Sequence, residues 1–377
     1  QRFSQRSIAM KRVLTVIGAR PQWMKASALS RILEDPALGI EERVLHTGQH
    51  YSHDMAGRFV DELNLPAAHH VLSVSNVPAV RMGQMMEGVM AAIAQDAPDA
   101  VILYGDTDST LAGAWAASRT GTPVVHIEAG LRSFDRSMPE EVNRILTDAL
   151  SDVLFCPSQA AVDLLAKEGI VSGAREGLQV EVSGDLMLDT ARHFGGQSKP
   201  VAPEADTVLL TLHRPSNVDD PNRLKAWVES AGAAAQAKGW RVRFPVHPRT
   251  AQVAERIYGA SWRAQLESFG VDALEPASYL EILHFLKEVS QVWTDSGGLQ
   301  KEAYFMGRPA AVLREATEWT ELLDHGVARL CAQPAELDSV VTALEEAYAV
   351  MDFSVPLYGD GQAAKHIAQT LRTWLNR

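Results

Sequence analysis

Short apolar runs rich in β-branched residues alternate with stretches of helical periodicity along most of the chain. VLTVIG (Val13–Gly18) leads into a helical pattern from about Met24 to Glu34. VLH (Val44–His46) precedes another through Phe59 and Leu63, and AVILYG (Ala100–Gly105) precedes LAGAWAASR. VVHIEAG is followed by a helix starting near Pro139, and VLFCP (Val153–Pro157) by QAAVDLLAKEG. Strands covered on both faces read as continuous apolar runs, so this rhythm predicts a parallel sheet with helices on both sides. The rhythm restarts after Asp206 with VLLTLH, RVRFPVH, ALEPAS, QVWTDSGG and PAAVLRE, separated by helical patterns. Between the two series lies HFGGQSKPVAPEAD (His193–Asp206), whose Gly, Pro and small polar residues mark the expected linker. The predicted fold is α/β, with two doubly wound Rossmann-like domains facing a cleft. Residues 10–192 form the first domain and 193–358 the second, and 359–377 form a C-terminal helix. In such domains ligands bind where the carboxyl ends of the strands open.

Composition narrows the class. A chain of 377 residues is long for one core, and 46% hydrophobic with 22% charged residues is ordinary for a globular enzyme. A net charge of −12 argues against a nucleic-acid surface or an anionic membrane as partner. Cys156 and Cys331 sit in apolar surroundings and read as buried free thiols in a reducing cytoplasm. No apolar run approaches the roughly 18 residues that span a bilayer. QRFSQRSIA lacks the apolar core and cleavage site of a signal peptide, so Met10 reads as the native start and residues 1–9 as a foreign addition. Trp115, Trp240, Trp262 and Trp374 fall in helical or strand-flanking patterns and read as packing residues.

The densest chemistry lies between Tyr104 and Arg144. YGDTDSTLAG, VVHIEAGLRS and MPEEVNRILTD set out Asp106, Glu128, Glu140 and Glu141 with Arg132 and Arg144. Each acid follows an apolar run or opens a helical pattern, which places it at a strand end or helix start. Carboxylates gathered there with arginines between them point to acid/base chemistry on an anionic substrate. His126 and Glu128, two apart on a strand, are predicted to share a face and suit proton handling. IGARPQWMKAS puts Arg20 in the first strand–helix turn and Lys25 in the first turn of the next helix, where anions are already favoured. No GxGxxG fingerprint occurs there. TDSGGLQKEA places Ser296, Gly297 and Gly298 between a strand and a helix, where glycines let the backbone approach phosphate oxygens. Glu302 lies in the first turns of that helix, and spacing alone reads it equally as a solvated side chain. His213 and His247 follow two strands and are themselves followed by Arg214 and Arg249. HTGQHYSHD offers His46, His50, His53 and Asp54, but at neither HExxH nor paired Cys/His spacing, so no metal site is expected.

GDTDSTLAG, HIEAGLRS and MPEEVNR resemble the signature of the non-hydrolysing UDP-N-acetylglucosamine 2-epimerases. The match runs in order through IGARPQWMKAS, HTGQH, LHRPSN, FPVHPRT, TDSGGLQKEA, LREATEW and YGDGQA. The resemblance implies the GT-B fold, with the helix after Gly361 returning to the first domain. It implies reversible C2 epimerisation of UDP-N-acetylglucosamine to UDP-N-acetylmannosamine, for cell-surface polysaccharide precursors, by a cytoplasmic homodimer without a cofactor. The implied route is anti-elimination of UDP to a 2-acetamidoglucal, followed by re-addition. Carried over by position, Asp106, Glu128, Glu140 and His213 are the expected catalytic set. Arg20, Lys25, Arg144, Ser296, Gly297, Gly298 and Glu302 are the expected UDP-sugar contacts, with His213 at the diphosphate and Glu302 at the ribose. Three departures stand out. TEWTE replaces the family's common TERPE, so Trp319 stands where an arginine lies near the ligand and is itself an expected substrate contact. LHRPSN replaces HRRE, and QHYSHDM replaces QHREM in a region that helps form a regulatory site in bacterial members. The TEW and QHY variants resemble a branch that includes epimerases of a UDP-2,3-diacetamido-2,3-dideoxyglucuronate. That substrate is one alternative, and a GT-B glycosyltransferase is another.

Overall fold

The computed structural model describes residues 10–49, 67–195 and 206–377. The helical pattern expected through Phe59 and Leu63 lies outside these residues, as do His50, His53 and Asp54. The chain divides into two compact units, Gln1–Thr190 with Pro356–Arg377 and Ala191–Val355.

The first unit carries a parallel sheet of β1 (Lys11–Ile17), β2 (Ile40–His46), β3 (His70–Val71), β4 (Ala100–Tyr104), β5 (Val124–Ile127), β6 (Val153–Cys156) and β7 (Gln179–Val182). Its strand order is β3-β2-β1-β4-β5-β6-β7. Between them run α1 (Arg20–Leu33), α2 (Pro78–Asp96), α3 (Asp108–Thr120), α4 (Pro139–Leu150), α5 (Gln159–Lys167) and α6 (Leu186–Gly195). β4, β5 and β6 are buried along their whole length, which is why they read as unbroken apolar runs. The core under one face gathers Leu14, Val16, Leu45, Val101 and Leu103 against Val89, Ala114 and Ala117. Each large side chain buried there stabilises the unit by about 1.5–3 kcal/mol relative to exposure.

Helix starts follow the cap chemistry in the sequence. Thr107 accepts from Thr110 N at the start of α3, and Ser158 accepts from Ala161 N at the start of α5. α1 begins at Arg20, four residues before the pattern starts. Pro21 suits a first turn, and Gln22 Oε1 accepts from Gly18 N at 2.8 Å and Ala19 N at 3.0 Å. A polar side chain thus supplies the start signal that apolar periodicity misses.

The second unit carries β8 (Thr207–Thr211), β9 (Arg241–Pro245), β10 (Val271–Leu274), β11 (Gln291–Thr294), β12 (Ala310–Val312) and β13 (Ala328–Leu330). They are parallel, in the order β10-β9-β8-β11-β12-β13. Its helices are α7 (Pro215–Val218), α8 (Pro221–Ala237), α9 (Pro248–Tyr258), α10 (Trp262–Ser268), α11 (Tyr279–Glu288), α12 (Gly297–Phe305), α13 (Thr320–Asp324) and α14 (Leu337–Ala347). Trp227, Trp293 and Phe244 are the large side chains of this core. α15 (Ala363–Leu375) belongs to the first unit and packs on α1. Its first N–H groups, at Ala363 and Ala364, donate to the Asp189 carboxylate at 3.1 and 2.8 Å.

Two expectations need correction. Trp115 is 40% exposed on the outer face of α3, so it is not a packing residue. Its helix presents alanines to the sheet and leaves the indole outside. The expected linker from His193 is still helical through Gly195, and residues 196–205 lie outside the described part. Trp262 is buried, while Trp240 and Trp374 are half-buried. Among the described residues no helix is long and apolar enough to cross a membrane.

Candidate functional site

In a doubly wound sheet the strand order reverses at one point, and the helices on either side diverge to leave a crevice at the strand ends. In the first unit that point lies between β1 and β4, paired in parallel from Val13↔Ala100 to Val16↔Leu103. Gly18 and Arg20 follow β1, and Gly105 and Asp106 follow β4, so the motif residues fall at the reversal. Lys25, on the second turn of α1, is 8% exposed and forms an ion pair with Glu128, which follows β5. Glu128 has φ +69°, a left-handed conformation that costs a non-glycine residue free energy. That turn takes Glu128 off the strand direction and to Lys25.

Gly105 has φ +63°, and a Cβ there would lie 3.3 Å from Lys25 Nζ and 3.4 Å from Glu128 Oε1. The tight turn after β4 is therefore packed against the ion pair. Asp106 follows immediately, half-buried, and pairs with Arg144 of α4. Arg144 is 4% exposed and also donates to Glu141 at 2.8 Å. Glu141 accepts from Ser133 N at 2.8 Å, Phe134 N at 2.9 Å and Ser133 Oγ at 2.9 Å. Burial alone would raise the Glu141 pKa, but these donors and the Arg144 charge hold it below the usual carboxylate range. Asn143 Nδ2 bridges the Asp106 carbonyl at 3.0 Å and Asp108 Oδ1 at 3.2 Å.

The structure thus gathers Lys25, Asp106, Glu128 and Arg144 at one set of strand ends. Arg20 is exposed at the first position of α1, and Glu140 is exposed at the start of α4. The buried acid of that helix start is its neighbour Glu141. His126 and Glu128 do not act as a pair on one face, because Glu128 turns away; the His126 ring lies between Asp148 and the Gly105 carbonyl. His46 stacks on Trp23 with ring centroids 5.7 Å apart, and its Nδ1 accepts from Gly48 N. Burial lowers the His46 pKa to about 4, so this ring is neutral at pH 7. No group of three or more His, Cys, Asp or Glu side chains suited to a metal ion occurs among the described residues.

The second unit repeats the arrangement. Its order reverses between β8 and β11, where Thr211 pairs with Thr294. His213 follows β8, and Asp295, Ser296, Gly297 and Gly298 follow β11. Asp295 is fully buried and accepts from His213 N, from Arg214 N at 2.9 Å and from Asn217 Nδ2 at 3.3 Å. His213 Nδ1 lies 3.0 Å from its carboxylate. Burial works to raise the Asp295 pKa, but the imidazole and the two backbone N–H groups lower it. An ionised Asp295 fixes the imidazole with Nδ1–H inward and Nε2 directed away from it. His247 lies 5.9 Å from His213 between ring centroids and caps α9, accepting from Arg249 N.

Ser296 opens α12, and a Cβ on Gly297 would come within 2.6 Å of Glu318 Oε1, so the Glu318 carboxylate would have to shift. Glu318 pairs with Arg314 at 3.0 Å, and Arg214 Nη2 would lie 3.8 Å from the same Cβ. Glu302 is 5% exposed on α12. Trp319 is buried, with Lys301 Nζ 3.7 Å from its ring centroid. Lys301 thereby brings a cation to the face of the residue that replaces one. Glu141, Asn143 and Asp295 organise these loops. Asp295 stands directly after β11 beside the glycines of TDSGG, and Glu141 beside Glu140, so both were in view in their motifs.

Comparison with known proteins adds the following. Residues 33–372 match the family model described as UDP-N-acetylglucosamine 2-epimerase. The chain is 41% identical to the UDP-2,3-diacetamido-2,3-dideoxy-D-glucuronate 2-epimerase of Pseudomonas aeruginosa, over 96% of this chain and 99% of that one. It is 37% identical to the UDP-N-acetylglucosamine 2-epimerase of Methanocaldococcus jannaschii, over 82% of this chain and 86% of that one. The crystal structure of the Methanocaldococcus jannaschii UDP-GlcNAc 2-epimerase in complex with UDP-GlcNAc and UDP superposes with a TM-score of 0.82 at 32% identity, covering 97% of this chain and 100% of that one.

Proposed function

This chain belongs to the UDP-N-acetylglucosamine 2-epimerase family, and from that premise we propose that it inverts C2 of UDP-N-acetylglucosamine by eliminating and re-adding UDP. A carboxylate of the first unit removes the C2 proton. The C2–H electron pair forms the C1=C2 double bond as the C1–O bond breaks, and UDP leaves with that bond's electrons. In the reverse sense a proton reaches the opposite face of C2 while a UDP oxygen attacks C1. The observation that carries this reading is the gathering of half-buried Asp106 and Glu128 with buried Lys25 and Arg144 at the strand ends beside the sheet reversal. Two carboxylates, each paired with its own cation, can supply one base and one acid. In the second unit, His213, Arg214 and the Ser296–Gly298 helix start are groups suited to binding a diphosphate.

A second substrate reading rests on the 41% identity to the diacetamido-glucuronate epimerase and on Trp319 at the position of the common arginine. Proton NMR of both UDP-sugars in D2O with the enzyme separates the two readings. We expect a C2 epimer with deuterium incorporated at C2, and the sugar with the larger kcat/KM is the substrate. Retention of the substrate proton over many turnovers would overturn the elimination route. Turnover only with an added acceptor would make the chain a transferase.

We also assign the enzyme to the cytoplasm, which suits its buried free Cys156 and Cys331 and which cell fractionation tests directly. A homodimer is proposed on α2, α3 and α4, where Val80, Trp115, Val142 and Leu146 are exposed on helices that pack side by side. Sedimentation equilibrium should give the mass of two chains, and of one chain after Trp115→Asp with Leu146→Asp. A single-chain mass for the unmodified protein at all concentrations would remove the dimer.

A further inference from the structure

His126 has no exposed surface, and both of its ring nitrogens lie 2.7 Å from oxygen atoms. Nε2 faces the Gly105 carbonyl, which can only accept, so Nε2 carries a proton. Nδ1 faces Asp148 Oδ1. The other oxygen of Asp148 accepts from Arg132 Nη1 at 2.7 Å and from Gly130 N at 3.2 Å, which favours the ionised carboxylate. An ionised Asp148 accepts at Oδ1 as well, so Nδ1 also carries a proton. The ring is then an imidazolium buried inside the sheet.

The surrounding charges close around it. Arg132 also forms a two-pronged bond to Glu168 at the end of α5, at 2.7 and 2.6 Å. His126 and Arg132 thus balance Asp148 and Glu168. From β6 the thiol of Cys156 faces the group, and burial, then the Asp148 charge, raises its pKa, so it adds no charge at pH 7. On the Gly105 side lies the neutral Lys25–Glu128 pair.

The carbonyl that His126 holds belongs to the peptide joining Gly105 to Asp106. We propose that His126, donating from both ring nitrogens, is a strut that fixes this peptide and so positions the Asp106 carboxylate, without touching substrate. No motif assigns it this part, and the inference rests on the proposed function only in taking Asp106 as catalytic. A charge-assisted bond to that carbonyl resists rotation of the peptide plane. Rotation would carry Asp106 off Arg144 and the Asp106 carbonyl off Asn143.

Two measurements test it. With ¹⁵N-histidine in the full-length enzyme at pH 7, one ring should show two exchange-protected N–H groups, both with imidazolium shifts. His46, among the described residues the other buried ring, accepts at Nδ1 and can show only one. A neutral, singly protonated ring at this site at pH 7 overturns the strut. The second measurement is a double-mutant cycle. His126→Gln should lower kcat about ten- to a hundredfold, with KM changed less than about threefold, the scale of a displaced reacting group. In an Asp106→Asn background it should add less than about twofold, because its effect passes through Asp106. Equal effects in both backgrounds would reduce His126 to a structural residue and overturn the positioning role. If Asp106→Asn alone leaves turnover normal, the catalytic reading of Asp106 fails, and with it the positioning role, whatever the ring's protonation.

Discussion

Asp106→Asn, Glu128→Gln and Glu140→Gln are each expected to lower kcat by at least about a hundredfold, the scale of a lost acid or base, while the UDP-sugar still binds. The three differ in what else they disturb. Glu128→Gln keeps an oxygen for Lys25 but removes the charge facing it, so a buried ammonium loses its counterion. Asp106→Asn leaves Arg144 still paired with Glu141, and its structural cost should be small. Glu140 is exposed, so Glu140→Gln should leave stability unchanged. Calorimetric binding of the UDP-sugar, with turnover followed by proton NMR, separates lost chemistry from lost fold. Near-normal turnover in any one variant removes that residue from the catalytic set.

Which parts of this architecture were readable in advance follows from burial. β4, β5 and β6 are covered on both faces and announce themselves as apolar runs. β3, β7 and β13 are edge strands of two to four residues with partly exposed side chains, and no run marks them. Several motif residues fell at the sheet reversals because an architecture of strand followed by helix opens to ligand at those turns. Side-chain direction was less legible. Alternation along β5 puts His126 and Glu128 on one face, and the positive φ at Glu128 breaks that alternation. Nothing in the spacing of MPEEVNR says which of two adjacent acids turns inward. Both lie about one turn before Arg144, four and three residues away, and it is the Ser133 and Phe134 N–H groups that, with Arg144, hold Glu141 inward.

Arg144→Ala is expected to destabilise the first unit by about 3–5 kcal/mol at pH 7, the usual result of removing one partner of a buried ion pair. Among the described residues Arg144 is the cation paired with Glu141, whose carboxylate is 1% exposed. The Ser133 and Phe134 N–H groups remain, so Glu141 stays hydrogen-bonded but buries an uncompensated charge. The pH dependence has a definite sign. With its folded pKa lowered, ionised Glu141 stabilises the native protein above the unfolded value of about 4.3, and that contribution is lost as pH falls through the folded value. Without Arg144 the folded pKa rises, because burial acts against fewer opposing charges. The gap between variant and wild type should therefore be largest near pH 7 and shrink toward pH 4, as Glu141 takes up a proton. Arg144→Lys keeps the charge but loses the fork that reaches both Asp106 and Glu141, and should fall between the two. Hydrogen exchange of peptides from residues 124–150 isolates this unit from the other, where a whole-chain melting curve would mix them. A loss below about 1 kcal/mol in Arg144→Ala, or one that does not depend on pH, would mean that Glu141 draws its stability from the loop N–H groups alone.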